Sequence, residues 1–309
     1  MKKVSTVIVM VLVAALLFAG CGQATNTTSP SQSAEQSKSA EVSQSSSAPE
    51  TSEAAEDVMI KIAGSTSVGP VIEALAEKYM EAHPNVTINV EQTGSGAGVT
   101  SCGDGTVDIG MASRALKDEE KTTYPTMEAT VLCLDGVAVV VSKDNPVSGL
   151  TKDQVKKIFM GEITDWSEVG GPAGEITLYS RDPESGTRGA FQELFLGKDD
   201  AGEEITIDDD MCVIVSSNGE MGTNIENDKM GIGYMSLGLV GNYNVTGVSV
   251  DGAEPTIDNL SSGTYAYSRP FNLLTLGDPT GEVAAFIEYC LTDPEAVAYM
   301  QEKGYLVQQ

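Results

Sequence analysis

The sequence predicts an α/β fold built mainly on parallel strands. Strand-like and helix-like patterns alternate along most of the chain, the arrangement that places helices against a sheet. Four of the strand-like segments lead into loops of Ser, Thr and Gly just before a helix or turn. Size agrees, because the part from Val58 onward is about 250 residues, enough for two lobes of ordinary domain size.

The elements follow in order. "VMIKIAG" alternates Val58, Ile60 and Ile62 on one face, and "STSVGPVIEALAEKYMEAHP" repeats Val68, Ile72, Leu75 and Tyr79 at helical spacing until Pro84 ends it. "VTINVE" is a strand, "TGSGAG" a glycine loop before a short helical stretch, and "VDIGM" the next strand. "KDEEKTTY" is a polar surface helix, and "VLCLDGVAVVVSKDNP" is a long buried strand ending at a turn. In "GLTKDQVKKIFMGE", Thr151 and Gln154 have capping-box spacing and Val155, Ile158 and Phe159 form the apolar face. "EITLYS" is a strand and "SGTRGAFQELFL" a helix that buries Ala190, Phe191, Leu194 and Phe195. "MCVIVSS" and "KMGIGYMSLG" add strands, and the chain closes on two helices broken at Asp293-Pro294. No internal repeat is visible.

The first residues point to export. "MKK" is a short basic region, followed by the apolar run "VSTVIVMVLVAALLFAG", which ends in small residues before Cys21. "LFAGC" resembles a bacterial lipobox, with Phe18 where leucine is commoner. That resemblance implies a signal peptide over residues 1–20, a lipid-modified (palmitate-bearing) Cys21, and an anchor on the outer face of a bacterial cell membrane. An uncleaved membrane anchor is the other reading, since about 17 apolar residues are the minimum that spans a bilayer. Residues 21–57 are rich in Ser, Gln, Ala, Thr and Glu. They bury too little to offset chain entropy, so they read as a disordered tether.

Formal net charge is -27. Lys2 and Lys3 add two positive charges and the tether holds six acids against Lys38, so the folded part carries -24. A nucleic-acid partner, which requires a basic footprint, is excluded on that ground. A small anion meets an unfavourable long-range field here, so any anion site must work through close, oriented donors.

Five cysteines leave Cys102, Cys133, Cys212 and Cys290 once Cys21 is assigned to lipid. Their spacings match no metal or redox motif, and disulfides and buried thiols both remain open. His83, in "EAHPNV", is the one histidine and sits at a surface turn. A Ser-His-Asp triad or a multi-histidine metal site is therefore hard to build, and no catalytic or metal residue and no cofactor is assigned. "IDDDM" lacks calcium-loop spacing and reads as a solvated acidic turn, and Trp166 reads as packing.

Four loops share one design: "AGSTSVGP" (63–70), "TGSGAG" (93–98), "MASRAL" (111–116) and "SRDPESGTRG" (180–189). In an open α/β sheet, ligands bind outside the carboxyl ends of the strands, where these loops fall. Helix-start N–H groups lack intrahelical partners and sit at the positive end of the helix dipole, and hydroxyls add uncharged donors. Each loop alone has a plainer reading: Ser65, Thr66, Ser67 or Ser185 as an N-cap, and Gly94, Gly96 and Gly98 as turn formers. The recurrence of the design, with Arg114 and Arg181 in two of the loops, is what points to an oxyanion. Arg114 has a competing role as a salt-bridge partner of Asp118 or Glu119, and Arg188 reads as a surface residue.

"IAGSTSVGPVIEALAEKY", "GSGAGVTSCGDGTVDIGMASRALKDEE", "IFMGEITDWSEVGG", "SRDPESGTRGAF" and "GIGYMSLG" together resemble the PstS family, the phosphate-binding lipoproteins of phosphate ABC transporters. The likeness runs from about Val58 to the C-terminus, with the motifs in family order and spacing. It implies a two-lobed type 2 periplasmic-binding-protein fold with two crossover strands and ligand in the cleft between the lobes. The lobes are expected at about 58–140 plus 265–309 and about 141–264. The resemblance carries Thr66, Ser67, Ser95, Arg181, Ser185, Gly186 and Thr187 over to a phosphate site, and the loops themselves add Ser65, Ser113 and Arg114 to the expected set. It also implies a monomeric receptor, not an enzyme, that captures inorganic phosphate and delivers it to ABC permease and ATPase subunits.

One position departs from the family pattern. Some well-known members carry an aspartate after "DIG" that accepts the phosphate proton, and here Ser113-Arg114 follows. A buried carboxylate would penalise sulfate, which brings no proton, so the choice of phosphate over sulfate or molybdate rests on Ser113, Asp182 or Glu184. The rival classes are the same fold with another oxyanion, a phosphate-sensing or adhesive surface lipoprotein, and a phosphatase using Ser95 or Ser185. The phosphatase lacks a histidine base or metal to activate either serine.

Overall fold

The computed structural model describes residues 56–307. The expected signal segment, Cys21 and nearly all of the expected tether lie outside the described residues. Among the described residues, no helix is long and apolar enough to cross a membrane.

The chain begins with β1 (Val58–Gly64), α1 (Gly69–Ala82), β2 (Val86–Gln92), α2 (Ser95–Gly103), β3 (Ile109–Ala112) and α3 (Asp118–Thr123). Pro70 stands in the first turn of α1, where a backbone N–H has no partner to lose. Next come β4 (Met127–Ser142), β5 (Gly149–Leu150), α4 (Lys152–Phe159), β6 (Thr177–Arg181) and α5 (Gly186–Phe191), the last running into a π-helical turn over Gln192–Leu196. Thr151 and Gln154 make both bonds of the expected capping box at α4. The chain continues through β7 (Val213–Val215), α6 (Asn218–Asn227), β8 (Gly231–Ser236), α7 (Leu237–Val240), β9 (Val245–Gly247) and β10 (Ser249–Val250). It ends with α8 (Ile257–Ser261), β11 (Ser268–Leu276), α9 (Gly281–Thr292) and α10 (Pro294–Glu302). Asp293 caps α10 at the break expected there.

A nine-stranded sheet runs in the order β2-β1-β3-β11-β4-β8-β6-β7, with β9 also on β4. Its centre explains the architecture. β4 pairs with β11 through Gly136 and with β8 and β9 from Val137 onward, so one strand of 16 residues belongs to both halves. Each half has its own core. One gathers Ile60, Ile72, Leu75, Met111, Leu132, Phe271 and Phe286, and the other Val139, Phe159, Trp166, Phe191, Phe195 and Tyr234. Trp166 packs as expected, fully buried, with its indole N–H donated to Met230 O at 3.0 Å.

The expectation of mainly parallel pairing holds toward the two ends of the sheet and fails at its centre. β1–β2, β1–β3, β6–β8 and β6–β7 are parallel. β3–β11, β11–β4, β4–β8 and β4–β9 are antiparallel. The reason is the path of the chain: β4 leaves one half and β11 returns to it, so the two run head to tail and need no crossover helix between them.

β11 has no counterpart among the sequence expectations, because proline argues against a central strand. The structure accommodates Pro270 at a special place. Opposite it, Leu134 turns both its N–H and C=O to Leu306, so the missing Pro270 donor leaves no orphan. α6 is also unanticipated, since Gly219 and Gly222 weaken its helical signal, yet Ser217 caps it. Cys102, Cys133 and Cys290 are buried free thiols and Cys212 a half-buried one, which closes the disulfide alternative for these four. His83 ends α1 and stacks on Tyr79 with ring centroids 3.9 Å apart.

Candidate functional site

The four Ser/Thr/Gly loops follow β1, β2, β3 and β6, and all four converge at the middle of the sheet. Gly98 makes part of this possible: a side chain there would strike the backbone of Gly64 and Met111, so glycine lets α2 lie directly on β1 and β3. Gly186 does the same across the two halves. A Cβ at that position would overlap the Ser95 hydroxyl and stand 2.7 Å from that of Ser113. The halves also bond directly, Gly96 N–H donating to Glu184 O at 2.9 Å.

The centre of the convergence is a buried hydroxyl cluster. Ser67 Oγ lies 2.9 Å from Thr187 Oγ1, and Ser95 Oγ lies 3.3 Å from Ser113 Oγ while accepting the Ser113 N–H at 3.1 Å. Asn218 Nδ2 donates to Ser67 Oγ at 2.9 Å and to Thr66 Oγ1 at 3.2 Å, and its Oδ1 accepts the Ser236 N–H. Ser65, Thr66, Ser67, Ser95, Ser113, Ser185 and Thr187 are all buried. Two of them have local duties: Ser65 Oγ accepts the N–H groups of Ser67 and Val68, and Ser185 caps α5 through Arg188 N–H.

Arg181 brings to this cluster a cation that lacks a close carboxylate. It is 1% exposed, and its Nη2 donates to Thr66 Oγ1 at 3.2 Å and to Ser216 O at 2.8 Å. Nε donates to Val215 O at 3.2 Å, while Nη1 is buried without a partner. The nearest carboxylate, Asp182 Oδ2, stands 3.9 Å away. Burial therefore works against the charged form and lowers the Arg181 pKa, with Asp182 opposing weakly. An arginine in this state has an unused donor and an under-compensated charge, both of which an anion would satisfy.

Two arginines stand elsewhere than expected. Arg114 turns from the cluster to Glu120, donating to its two oxygens at 2.6 and 2.7 Å and to Ala115 O at 2.9 Å. Its expected place among the anion donors is corrected accordingly: a two-pronged carboxylate pair occupies the guanidinium, and the partner is Glu120 rather than Asp118 or Glu119. Burial pushes the Glu120 carboxyl up, but the Arg114 hydrogen bond, the Lys117 N–H and the two neighbouring positive charges outweigh it and hold the group below the usual range. Arg188, expected at the surface, is buried and clamps the loop by donating to Arg181 O, Ile207 O and Gln192 Oε1 and pairing with Asp209.

The sequence reading missed Arg269, Asp135 and Asn218. Asp135 and Arg269 face each other across β4 and β11, 0% and 3% exposed, with Arg269 Nη2 2.9 Å from Asp135 Oδ2. The signal was present: an aspartate inside the apolar run "VLCLDGVAVVV" must find a buried partner. Burial raises the Asp135 pKa and lowers that of Arg269, each charge opposing the shift of the other.

Known proteins resemble this chain along most of its length. A family model for the PBP superfamily domain matches residues 27–294. The phosphate-binding protein PstS of Bacillus subtilis is 30% identical over 247 residues, covering 80% of each chain. PstS of Staphylococcus haemolyticus is 33% identical over 260 residues, 79% of each. Among solved structures, a phosphate ABC transporter substrate-binding protein from Clostridium perfringens with bound phosphate superposes with a TM-score of 0.73 at 35% identity, over 81% of this chain and 100% of that one. A phosphate transport receptor of ABC type from Vibrio cholerae gives 0.64 at 35% identity, with the same coverage.

Proposed function

Because the chain belongs to the PBP superfamily and, within it, to the PstS family of phosphate-binding proteins, we propose that it captures inorganic phosphate outside the cytoplasm and delivers it to an ABC permease for import. The observation that carries this reading is the buried Arg181 with an unpartnered Nη1 beside a cluster of hydroxyls drawn from both halves of the sheet.

Binding follows from the donors. Hydroxyls of Thr66, Ser67, Ser95, Ser113 and Thr187 are buried together beside the start of α5 at Ser185 and Gly186, with Arg181 as the guanidinium that has no close carboxylate. A tetrahedral oxyanion exchanges the contacts among these hydroxyls for charge-assisted bonds, which in a site shielded from water are stronger than neutral ones. The groups come from segments about 58–140 plus 265–309 and about 141–264, the two lobes of this reading. An anion held by both lobes stabilises the state in which they meet. No bond is made or broken, and the protein acts as a monomeric receptor rather than an enzyme. Cys21 supplies its lipid anchor on the outer face of the cell membrane.

The net charge of -27 is no obstacle. Screening confines the global field to roughly 8 Å in physiological salt, whereas the site works through donors in direct contact.

Sulfate is the second reading. Among the described residues, no carboxylate oxygen is hydrogen-bonded to these cluster hydroxyls, so nothing there demands a protonated ligand. Isothermal calorimetry with phosphate against sulfate at neutral pH separates the two. Preference for phosphate supports the proposal, and preference for sulfate overturns its ligand while keeping the fold.

A further inference from the structure

The strands that join the two halves also supply the floor of the cluster. Asp135 and Arg269 are register partners on β4 and β11, one residue before β4 passes from β11 at Gly136 to β8 at Val137. On one side the Arg269 guanidinium meets Asp135 Oδ2 through Nε at 3.2 Å and Nη2 at 2.9 Å. On the other it faces the hydroxyls: Nη2 donates to Ser67 Oγ at 3.0 Å, and Nη1 to Thr187 Oγ1 at 2.8 Å and Ser113 Oγ at 3.2 Å. Nη1 also reaches Ser113 O at 3.3 Å. The Phe271 ring, two residues on along β11, has its centroid 5.4 Å from Cζ, within cation–π range.

We propose that Arg269 is a second guanidinium of the oxyanion site, mounted where the two halves join, and that its pairing with Asp135 sets how strongly the bound anion draws the halves together. The inference rests on the reading of this cluster as an oxyanion site. Ser67 and Ser113 come from one half and Thr187 from the other, so Arg269 touches both walls at once. A buried ion pair standing alone contributes little net stability, because desolvation consumes most of its attraction. Here Asp135 holds the fork at one fixed angle and offsets its charge in the absence of anion. Nη1, directed away from Asp135, remains free to exchange a hydroxyl for a ligand oxygen. Arg181 and Arg269 would then grip the anion from two directions, with only one of the two cations already matched by a close carboxylate.

The test uses the wild-type protein with Arg269→Gln, Arg269→Lys and Asp135→Asn, each titrated with inorganic phosphate and melted with and without it. Arg269→Gln is expected to weaken binding roughly 12- to 150-fold, the range of a lost charge-assisted bond. Arg269→Lys is expected to recover only part of this, since an ammonium cannot span Ser67 and Thr187 as a fork does. Asp135→Asn is expected to lower the melting temperature of the free protein and to enlarge the rise caused by phosphate, because the anion now neutralises an unpaired buried cation. Both arginine variants binding as wild type does, while melting lower, would show a purely structural pair and overturn the proposal. If Arg269→Gln does not fold, the other two variants decide, and a phosphate-induced rise in Asp135→Asn no larger than in wild type overturns it. Failure of wild type itself to bind phosphate counts against the phosphate reading alone, and the same variants titrated with sulfate then decide the role of Arg269.

Discussion

Replacing Arg181 by alanine separates binding from folding in a way the geometry makes quantitative. The side chain gives the site Nη1, which has no protein partner, and part of Nη2, which it shares between Thr66 and Ser216. One charge-assisted hydrogen bond to an anion is worth about 1.5–3 kcal/mol, so phosphate affinity should fall roughly 12- to 150-fold. Stability responds to two opposed effects. Val215 O and Ser216 O lose their donor, at about 1–3 kcal/mol each if left dry. Against this, the variant no longer buries a cation whose nearest carboxylate is 3.9 Å away. The melting temperature of the free protein should therefore drop only modestly, while the stabilisation conferred by saturating phosphate largely disappears. Calorimetry gives the affinity, and thermal unfolding with and without phosphate gives the rest. A folded Arg181→Ala protein binding phosphate within about twofold of wild type would refute the placement of the site.

Two further outcomes are expected. Gly186→Ala places a methyl against the Ser95 and Ser113 hydroxyls across the two halves; overpacking of this kind costs about 1–3 kcal/mol, so phosphate affinity should fall roughly 5- to 150-fold, and small-angle scattering should show less compaction on adding phosphate than in wild type. Glu120→Gln removes the carboxylate that Arg114 holds; because the folded pKa of Glu120 is depressed, its stabilisation is present above the ordinary glutamate pKa and is lost as pH falls through the depressed value. The stability gap between wild type and variant, followed by chemical denaturation, should be widest near neutrality and close in acid.

The walls of the site were legible in the sequence, and its floor was not. Ser-Thr-Gly loops after strands announce themselves because caps and helix starts are local chemistry, and Thr66, Ser67, Ser95, Ser113 and Thr187 do come together. The strands "VMIKIAG" and "VTINVE" were equally readable as strands, and they fold as β1 and β2. What sequence order hides is partnership over long separation. Asp135 meets Arg269 across 134 positions, and Pro270 next to that arginine argued against the strand that brings it there. Arg114 misled for a related reason: its guanidinium was equally suited to an anion or to a nearby carboxylate, and Glu120, six positions on in α3, takes it.

A crystal structure of the protein grown with inorganic phosphate tests the central claim most directly. The account predicts one tetrahedral anion within hydrogen-bond distance of Arg181 Nη1, the hydroxyls of Thr66, Ser67 and Thr187, and the N–H groups at the start of α5. Phosphate bound elsewhere, with Arg181 Nη1 still unpartnered, would contradict it.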